Sequence, residues 1–150
     1  MTDPDGATGL DDQLCFALYS ATNSIVRAYR PLLDEVGLTY PQYLIMLVLW
    51  REGDLSVGRL AARLNLPPHA ISPMLDRMEA HGLVARLRDD TDRRLVHVAL
   101  TEAGARLEPA VAEVQRAVAC RTSLGSDEIA TLRTALHALA AEMSGTDTSA

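Results

Sequence analysis

The fold is decided by residues 56–101, which read SVGRLAARLNLPPHAISPMLDRMEAHGLVARLRDDTDRRLVHVALT. The first half predicts a short helix, a turn at residues 65–68 and a second helix that ends at Gly82. Two apolar runs, residues 83–87 and 95–100, flank a polar tip and predict a β-hairpin. Helix, turn, helix and hairpin in this order are typical of a winged helix-turn-helix, whose second helix enters the major groove of DNA.

The second helix of this unit has two distinct faces. Ile71, Met74, Leu75 and Met78 recur at helical spacing, and we expect them to face the core. The opposite face is then free to approach base edges in the major groove. The residues of this helix that are predicted to contact DNA are His69, Ala70, Ser72, Pro73 and Arg77.

The hairpin carries a concentration of arginine. An arginine at such a tip can enter a narrow minor groove, where the negative potential is strong. The alternative is that these arginines form a solvated surface with Asp89, Asp90 and Asp92, but the helix-turn-helix just before them favours DNA binding. The hairpin residues that are predicted to contact DNA are Arg86, Arg88, Asp92, Arg93 and Arg94.

Charge is unevenly distributed along the chain. The formal net charge is −6, which by itself argues against a nucleic-acid partner. Residues 51–100, however, hold 8 of the 14 basic residues against 7 acidic ones. A locally basic surface can bind phosphate while the acidic remainder limits non-specific binding. Double-stranded operator DNA is therefore the expected partner.

Long helices are predicted on both sides of this unit. Apolar residues recur at intervals of three and four between residues 10 and 33, over an arc wide enough for a dimer interface. Two further helices follow the hairpin, so we expect a mainly α fold with a small β-hairpin wing. The predicted divisions are a disordered N-terminus at 1–9, one domain at 10–143 with dimerisation helices at 10–38 and 102–143 and the winged helix-turn-helix at 39–101, and a disordered tail at 144–150.

The N-terminus and the two cysteines indicate the compartment. No apolar run reaches the roughly 18–20 residues of a membrane helix, and the acidic start at residues 1–5 is unlike a signal peptide. We therefore expect a cytoplasmic protein with no membrane partner. Cys15 and Cys120 would be reduced there, so that a disulfide would be regulatory rather than structural. No metal, no cofactor and no enzymatic activity are expected.

The wing and the segment after it resemble a known family. The run DRR at residues 92–94, followed by VALTEAG at 98–104, is similar to the wing signature of the MarR family of dimeric bacterial transcription regulators. The resemblance covers roughly residues 10–143. It implies that Asp92 and Arg94 shape the wing and that Arg94 reaches the minor groove.

One subgroup of that family is more similar than the rest. LDDQLCFALY at residues 10–19, YRPLL at 29–33, LTYPQYL at 38–44 and SPMLDRME at 72–79 resemble the organic-hydroperoxide-sensing repressors of the OhrR type. The resemblance implies that Cys15 is the sensing thiol and that organic hydroperoxides are the inducers. The alternative is that this cysteine is a small, inert residue of the core.

A sensing thiol needs support for its thiolate, because free cysteine has a pKa of about 8.5. Tyrosine hydroxyls can supply hydrogen bonds within an apolar pocket, and Tyr19 lies one turn from Cys15. Tyr29 lies 14 residues from Cys15, which is about 21 Å along one helix. If Tyr29 serves the thiol, it must come from a second subunit. The resemblance implies that Tyr29 and Tyr40 reach the cysteine across a homodimer, whereas Tyr43 is assigned to the core.

The role of Cys120 is implied by resemblance to the two-cysteine members of the subgroup. In those proteins a second cysteine resolves the sulfenic acid as an intersubunit disulfide, which requires Cα atoms within about 7 Å. A small thiol is the alternative partner. The preferred prediction is a repressor that organic hydroperoxides release from DNA. A regulator gated by a phenolic or aromatic ligand and a thiol peroxidase are the other hypotheses.

Overall fold

The computed structural model describes residues 9–145 and confirms a mainly α fold with a β wing. A short 3₁₀ turn at Leu10–Asp12 precedes the first helix. The helices are α1 (Leu14–Glu35), α2 (Tyr40–Glu52), α3 (Val57–Arg63), α4 (Pro68–Ala80), α5 (Glu102–Arg106), α6 (Glu108–Ala119) and α7 (Ser126–Gly145). The strands are β1 (Leu55–Ser56), β2 (Val84–Arg88) and β3 (Val96–Leu100).

The predicted disordered ends fall mostly outside this range. Residues 1–8 and 146–150 are not among the described residues. Ser144 and Gly145 belong to α7, so the last helix extends beyond its predicted end at about Met143. The hydroxyl of Ser144 donates to the carbonyl of Ala140 at 2.8 Å, as a residue within a helix can.

Helix starts follow the predicted caps. The backbone N–H of Gln42 donates to Thr39 Oγ1 at 3.3 Å, and the Thr39 N–H donates to Gln42 Oε1 at 3.1 Å. Ser56 Oγ accepts from the Arg59 N–H at 3.2 Å and starts α3. These bonds satisfy N–H groups that the first turn of a helix leaves without an intrahelical partner. Threonine and serine favour the N-cap position, so the sequence predicts that Thr39 and Ser56 start these two helices.

The sheet has three antiparallel strands in the order β1-β3-β2, where the sequence predicted a two-stranded hairpin. The hairpin itself is confirmed, with Ala85 opposite Ala99. The additional strand β1 pairs Leu55 with Val98. It spans two residues, which is too short for the alternation by which a strand is identified in sequence.

The sequence after the hairpin predicts one helix from residue 102 to about residue 121, but the structure divides it into α5 and α6. Pro109 is the physical reason, because it has no N–H to donate to the carbonyl four residues earlier. The backbone closes a tighter turn there, in which Leu107 N–H donates to Gly104 O at 3.3 Å. The expectation of one continuous helix was therefore wrong.

The core lies beneath the helix-turn-helix. Ile71, Leu75 and Met78 of α4 are fully buried, as their spacing predicted, whereas Met74 is only partly buried against the same cluster. They belong to one cluster with residues from α1, α2, the sheet and α6. Its other fully buried large side chains are Leu33, Ile45, Met46, Leu49, Leu60, Val84, Val98 and Val111.

Gly104 joins α5 to the base of the wing. A Cβ at this position would lie 2.2 Å from the Leu83 carbonyl oxygen, so a larger residue would displace backbone. The Gly104 carbonyl accepts a hydrogen bond from Trp50 Nε1 at 3.1 Å. Thr101 Oγ1 accepts from the Gly104 N–H at 3.1 Å and donates to Gly82 O at 2.5 Å. The Leu-Thr-x-x-Gly run of the sequence thus connects α2, α5 and the wing.

The structure separates into two compact units, and the second begins at Ala119. This second unit contains Cys120 and α7, on which Ile129 and Leu132 are exposed. An exposed apolar helix is compatible with a dimer interface. The single domain at residues 10–143 and the dimerisation roles of its outer helices stay predictions.

Candidate functional site

α4 leaves its predicted DNA-contacting face open to solvent. Its N-terminal residue, Pro68, occupies the first helical position, where a missing N–H costs little. The helix continues past Pro73 to its end at Ala80. Contact with DNA stays a prediction for each residue of this face. Of the predicted contacts, the structure leaves His69, Pro73 and Arg77 exposed, and Ala70 and Ser72 half-buried.

The tip of the hairpin is a loop of residues 89–95, called the wing loop below. Arg94 Nε donates to Asp92 Oδ1 at 3.1 Å, and Arg94 Nη2 donates to Asp92 Oδ2 at 3.2 Å. This pairing holds the pKa of the Asp92 carboxyl below its usual value. Arg88 Nη1 donates to Arg93 O at 3.0 Å. The Arg94 side chain is 91% exposed. Its two hydrogen bonds with Asp92 give it a defined direction at the tip.

Arg86 is engaged by acidic residues of α4. Its guanidinium forms ion pairs with Asp76 and with Glu79, the second at 3.4 Å. The Arg86 backbone N–H also donates to Glu79 Oε2 at 2.9 Å. Arg86 therefore links the wing to α4. A contact between Arg86 and DNA would require phosphate to replace these carboxylates. Its predicted DNA contact stays a prediction.

A cleft of about 290 Å³ lies between the start of α4 and the wing. Pro68 and Ser72 line its helical side, and Arg86 and Arg94 line its hairpin side. Both arginines are ion-paired with acids, Arg86 with Asp76 and Glu79 and Arg94 with Asp92, so a phosphate would compete with these carboxylates. This is the surface at which a DNA backbone can meet both elements at once.

Asp89 and His97 form a pair that the sequence did not predict. Asp89 Oδ2 lies 2.8 Å from His97 Nε2, and both side chains are half-buried. The only sequence signal was an acid at the end of one predicted strand and a histidine near the start of the next. Because the two residues are eight positions apart, the register of the hairpin had to be known before they could be paired.

Three tyrosines of α1 and α2 form one aromatic group, called the tyrosine cluster below. Tyr29 and Tyr40, both predicted to support the thiol, have ring centroids 5.5 Å apart at 64°. Tyr43 completes the cluster, stacked on Tyr29 at 5.2 Å and tilted against Tyr40 at 5.6 Å. Such offset and edge contacts stabilise aromatic groups beyond their burial. The structure therefore brings together two of the three predicted tyrosines.

Tyr43 had been assigned to the core, and it is indeed buried, at 4% exposure. It is also polar at its tip, since Gln115 Nε2 of α6 donates to Tyr43 Oη at 2.9 Å. Burial, followed by a hydrogen bond with Tyr43, raises the pKa of Tyr29 well above its usual range. Burial also raises the pKa of Tyr40. Both hydroxyls therefore remain protonated donors at neutral pH.

Cys15 lies in the first turn of α1 and is a free, exposed thiol. α1 runs without a break from Leu14 to Glu35, so the spacing argument holds: Tyr29 lies about 21 Å farther along the same helix. Tyr19, one turn away from Cys15, is 66% exposed and is not part of the tyrosine cluster. Within one subunit, the cluster and the thiol therefore stay apart.

Cys120 is also a free, exposed thiol, and it follows the last residue of α6. Among residues 9–145, no group of three or more His, Cys, Asp or Glu side chains is arranged to hold a metal ion. No single helix in that range is both long and apolar enough to cross a membrane, and α1 with α2 meet that test only as a pair bent by 75°.

Comparison with known proteins gives a family match and relatives over nearly the full chain. Residues 38–96 match the model of the MarR family. The organic hydroperoxide resistance transcriptional regulator of Bacillus subtilis (strain 168) is 37% identical over 130 residues, which cover 87% of this chain and 88% of the relative.

Two solved structures extend this similarity to the fold. Reduced AbfR of Staphylococcus epidermidis bound to DNA has a TM-score of 0.75 and 30% identity, covering 89% of this chain and 94% of that one. CouR from Rhodococcus jostii RHA1, bound to p-coumaroyl-CoA, has a TM-score of 0.77 and 27% identity, covering 89% and 96%.

Proposed function

The chain belongs to the MarR family and is a transcriptional regulator, and we propose that it is a dimeric repressor which organic hydroperoxides release from operator DNA by oxidising Cys15. One observation carries the proposal. The tyrosine cluster packs Tyr29 against Tyr40, and Tyr29 lies about 21 Å along α1 from an exposed thiol. At that distance, Tyr29 and Tyr40 would donate to a sensing thiol only if the thiol came from another subunit. The hydroperoxide resistance regulator that is 37% identical supports the same assignment.

The DNA-binding part of the proposal rests on the open face of α4 and the wing. α4 would enter the major groove and offer the five residues predicted above to base edges. Arg94, held by Asp92 at the tip, would enter the minor groove, and Arg88 and Arg93 would contact backbone phosphate nearby. A DNA-bound AbfR structure with a TM-score of 0.75 supports this mode.

The redox step is a two-electron oxidation of sulfur by the peroxide. The Cys15 thiolate attacks one oxygen of ROOH, so that an S–O bond forms, the O–O bond breaks and the alcohol ROH leaves after taking up a proton. The sulfenic acid then condenses with a second thiol and releases water. Cys120 of a second subunit is the proposed second thiol, and its exposure suits that role. A small cellular thiol is the alternative.

The tyrosines act on the thiolate that starts this step. A neutral hydroxyl that donates to sulfur favours the charged thiolate without adding a second charge. Tyr29 and Tyr40 would supply such donors from one subunit to Cys15 of the other. Tyr19 would approach from the first turns of α1. The apolar rings around the donors would favour organic peroxides over hydrogen peroxide.

Operator release tests the proposal directly. Binding of a duplex from upstream of the protein's own coding sequence is measured with and without cumene hydroperoxide, alongside non-reducing gels. Wild type should lose binding, and Cys15→Ser should retain it under the same treatment. Cys120→Ser should still react at Cys15 but form no intersubunit disulfide band. Release of Cys15→Ser by the peroxide would contradict the sensor role.

Mixed dimers test whether the tyrosines act across subunits. One subunit carries Cys15→Ser with Tyr29 intact, and the other carries Tyr29→Phe with Cys15 intact. The single remaining Cys15 should react with peroxide at the wild-type rate, because its tyrosine comes from the other chain. In Tyr29→Phe homodimers the reaction should be slower. Equal, slow rates in both dimers would place the tyrosine and the thiol in one chain.

A second candidate function is favoured by the CouR structure, which holds p-coumaroyl-CoA. This chain has a cleft of about 340 Å³ between α2 and α6, with Leu47 and Trp50 on one side and Val111 on the other. That volume suits a small aromatic ligand. A regulator of this kind would be released by an aromatic acid or thioester, and Cys15→Ser would leave that release unchanged.

A further inference from the structure

Asp89 organises the wing loop through both of its carboxylate oxygens. Oδ1 accepts from the Thr91 N–H at 2.8 Å, the Thr91 hydroxyl at 2.6 Å and the Asp92 N–H at 3.0 Å. Oδ2 pairs with His97 Nε2 at 2.8 Å. The Asp89 carboxylate therefore links Thr91 and Asp92 of the loop to His97 in the middle strand of the sheet.

His97 is the anchor of this arrangement, since it belongs to regular structure. It lies in β3 between Leu87 of β2 and Ser56 of β1, so its backbone is paired on both sides. The wing loop has few such pairings: Asp89 N–H donates to Leu95 O, and Leu95 N–H donates to Asp92 O, both at 3.0 Å. The His97 ring thus holds Asp89 at a fixed place above the sheet.

The arrangement continues from Asp89 to the arginine at the tip. Asp89 fixes the Asp92 N–H, and Asp92 in turn receives three hydrogen bonds from Arg94, one from its backbone N–H and two from its guanidinium. His97, Asp89, Asp92 and Arg94 therefore form a continuous series of contacts, in which Asp89 binds the backbone N–H of Asp92 and the other two links join side chains. The carboxyl of Asp89 has a pKa well below its usual range, chiefly because of the Thr91 hydroxyl, so it is charged at neutral pH.

We propose that His97 and Asp89 are positioning residues for operator binding, which act by fixing where Arg94 stands at the tip of the wing. The inference rests on the DNA-binding part of the proposed function and is independent of its redox part. Without the pair, the loop would be ordered only when DNA binds, and the lost conformational entropy would weaken the complex. Neither residue is required to touch DNA.

The proposal separates a positioning role from a purely structural one. A partly exposed pair of this kind contributes little to global stability. Loss of the His97 donor should therefore leave unfolding almost unchanged but reduce the affinity for DNA. A structural role predicts the opposite, a loss of stability from which any loss of binding follows. His97→Leu removes the N–H donor, whereas His97→Gln retains one at nearly the same reach.

The test measures binding of the reduced, full-length protein to a duplex that wild type selects from random-sequence DNA. His97→Leu should bind about tenfold more weakly, because the wing loop must then be ordered at the expense of binding free energy. His97→Gln should recover most of this loss. The slope of log K against log salt should fall by about one in Arg94→Ala, which loses the contact with DNA, and should stay near the wild-type value in His97→Leu, which keeps that contact once the loop is ordered.

A double-mutant cycle decides whether His97 acts through Arg94. In Arg94→Ala protein, the further change His97→Leu should have no effect, because the residue that it positions is absent. Independent, multiplying effects would overturn the proposal, and so would wild-type affinity of His97→Leu. If Arg94→Ala itself binds like wild type, the wing does not read this DNA, and both the wing contact and the positioning role fail. Urea unfolding of each variant confirms that the comparison is between folded proteins.

Discussion

The wing loop and the tyrosine cluster are held in place by different forces. In the wing loop, charged side chains bind one another within nine residues of sequence, and the Arg94 side chain at its tip is 91% exposed. In the tyrosine cluster, rings from two helices pack around Tyr43, which is only 4% exposed. The first arrangement is electrostatic and local, and the second depends on burial and on contacts between distant segments.

The difference separates the consequences that a mutation should have. Exposed ion pairs add little to the free energy of unfolding, so changes in the wing loop should alter DNA binding and leave stability intact. Buried aromatic rings contribute strongly to stability, so changes in the tyrosine cluster should affect the fold and the thiol together. A regulator built this way can vary its DNA contacts without loss of its core.

The largest expected effect comes from Tyr43→Ala. Removing a buried ring should lower the free energy of unfolding by about 3–5 kcal/mol, as for other aromatic truncations in cores. Tyr43→Phe keeps the ring and loses the hydroxyl that is hydrogen-bonded with Gln115 and Tyr29, so it should cost about 1–2 kcal/mol. Urea unfolding followed by circular dichroism measures both.

Arg94→Ala is the matched change in the wing. With its side chain 91% exposed, it should alter the free energy of unfolding by less than about 0.5 kcal/mol. Equal losses for Tyr43→Ala and Arg94→Ala would contradict the contrast between the two regions.

A smaller effect is expected at Gly104, which connects α2 to the base of the wing. The Cβ of Gly104→Ala would stand 2.2 Å from the Leu83 carbonyl oxygen, and the displaced backbone should cost about 1–3 kcal/mol. Gly58→Ala is the control, because its Cβ meets nothing within 4 Å. In α3 that change should be neutral or stabilising by up to about 1 kcal/mol. If Gly104→Ala had the thermal midpoint of wild type, the backbone at Leu83 would be able to move away from the new Cβ without a loss of stability.

The features predicted correctly from the sequence depend on residues close together in the chain. The cap at Thr39 uses Gln42, three positions later, and the cap at Ser56 uses Arg59. Helical spacing alone placed Ile71 in the core. Each of these follows from rules that act within one or two turns of a helix.

The features that were missed depend on contacts between distant residues. β1 forms only because Leu55 meets Val98, and two residues carry no pattern of their own. The polar partner of Tyr43 is 72 positions away. Pro109 is the exception, because its effect is local and a stricter application of the proline rule would have divided α5 from α6.

The smallest effect, and the one that distinguishes the two regions without any mutation, is the response to pH. In the folded protein, the pKa of Asp89 lies below its usual value. The contribution of Asp89 to the free energy of unfolding is therefore complete above about pH 4 and declines as the pH falls toward that lowered pKa. The pKa of Tyr29 is raised, so the contribution of the tyrosine cluster is complete below about pH 10 and declines as the pH rises.

Nuclear magnetic resonance can follow both the response of Asp89 to acid and the response of Tyr29 to alkali. The Thr91 and Asp92 amide protons, which donate to Asp89, should hold their chemical shifts down to a pH below that at which Asp89 would titrate in an unfolded chain. The ring signals of Tyr29 should stay constant through about pH 10. In acid, the signals of the wing loop should change while those of the tyrosine cluster stay native. In alkali, the signals of the tyrosine cluster should change while those of the wing loop stay native. Simultaneous change of both sets at either extreme would mean that the two regions unfold as one unit and are not separately held.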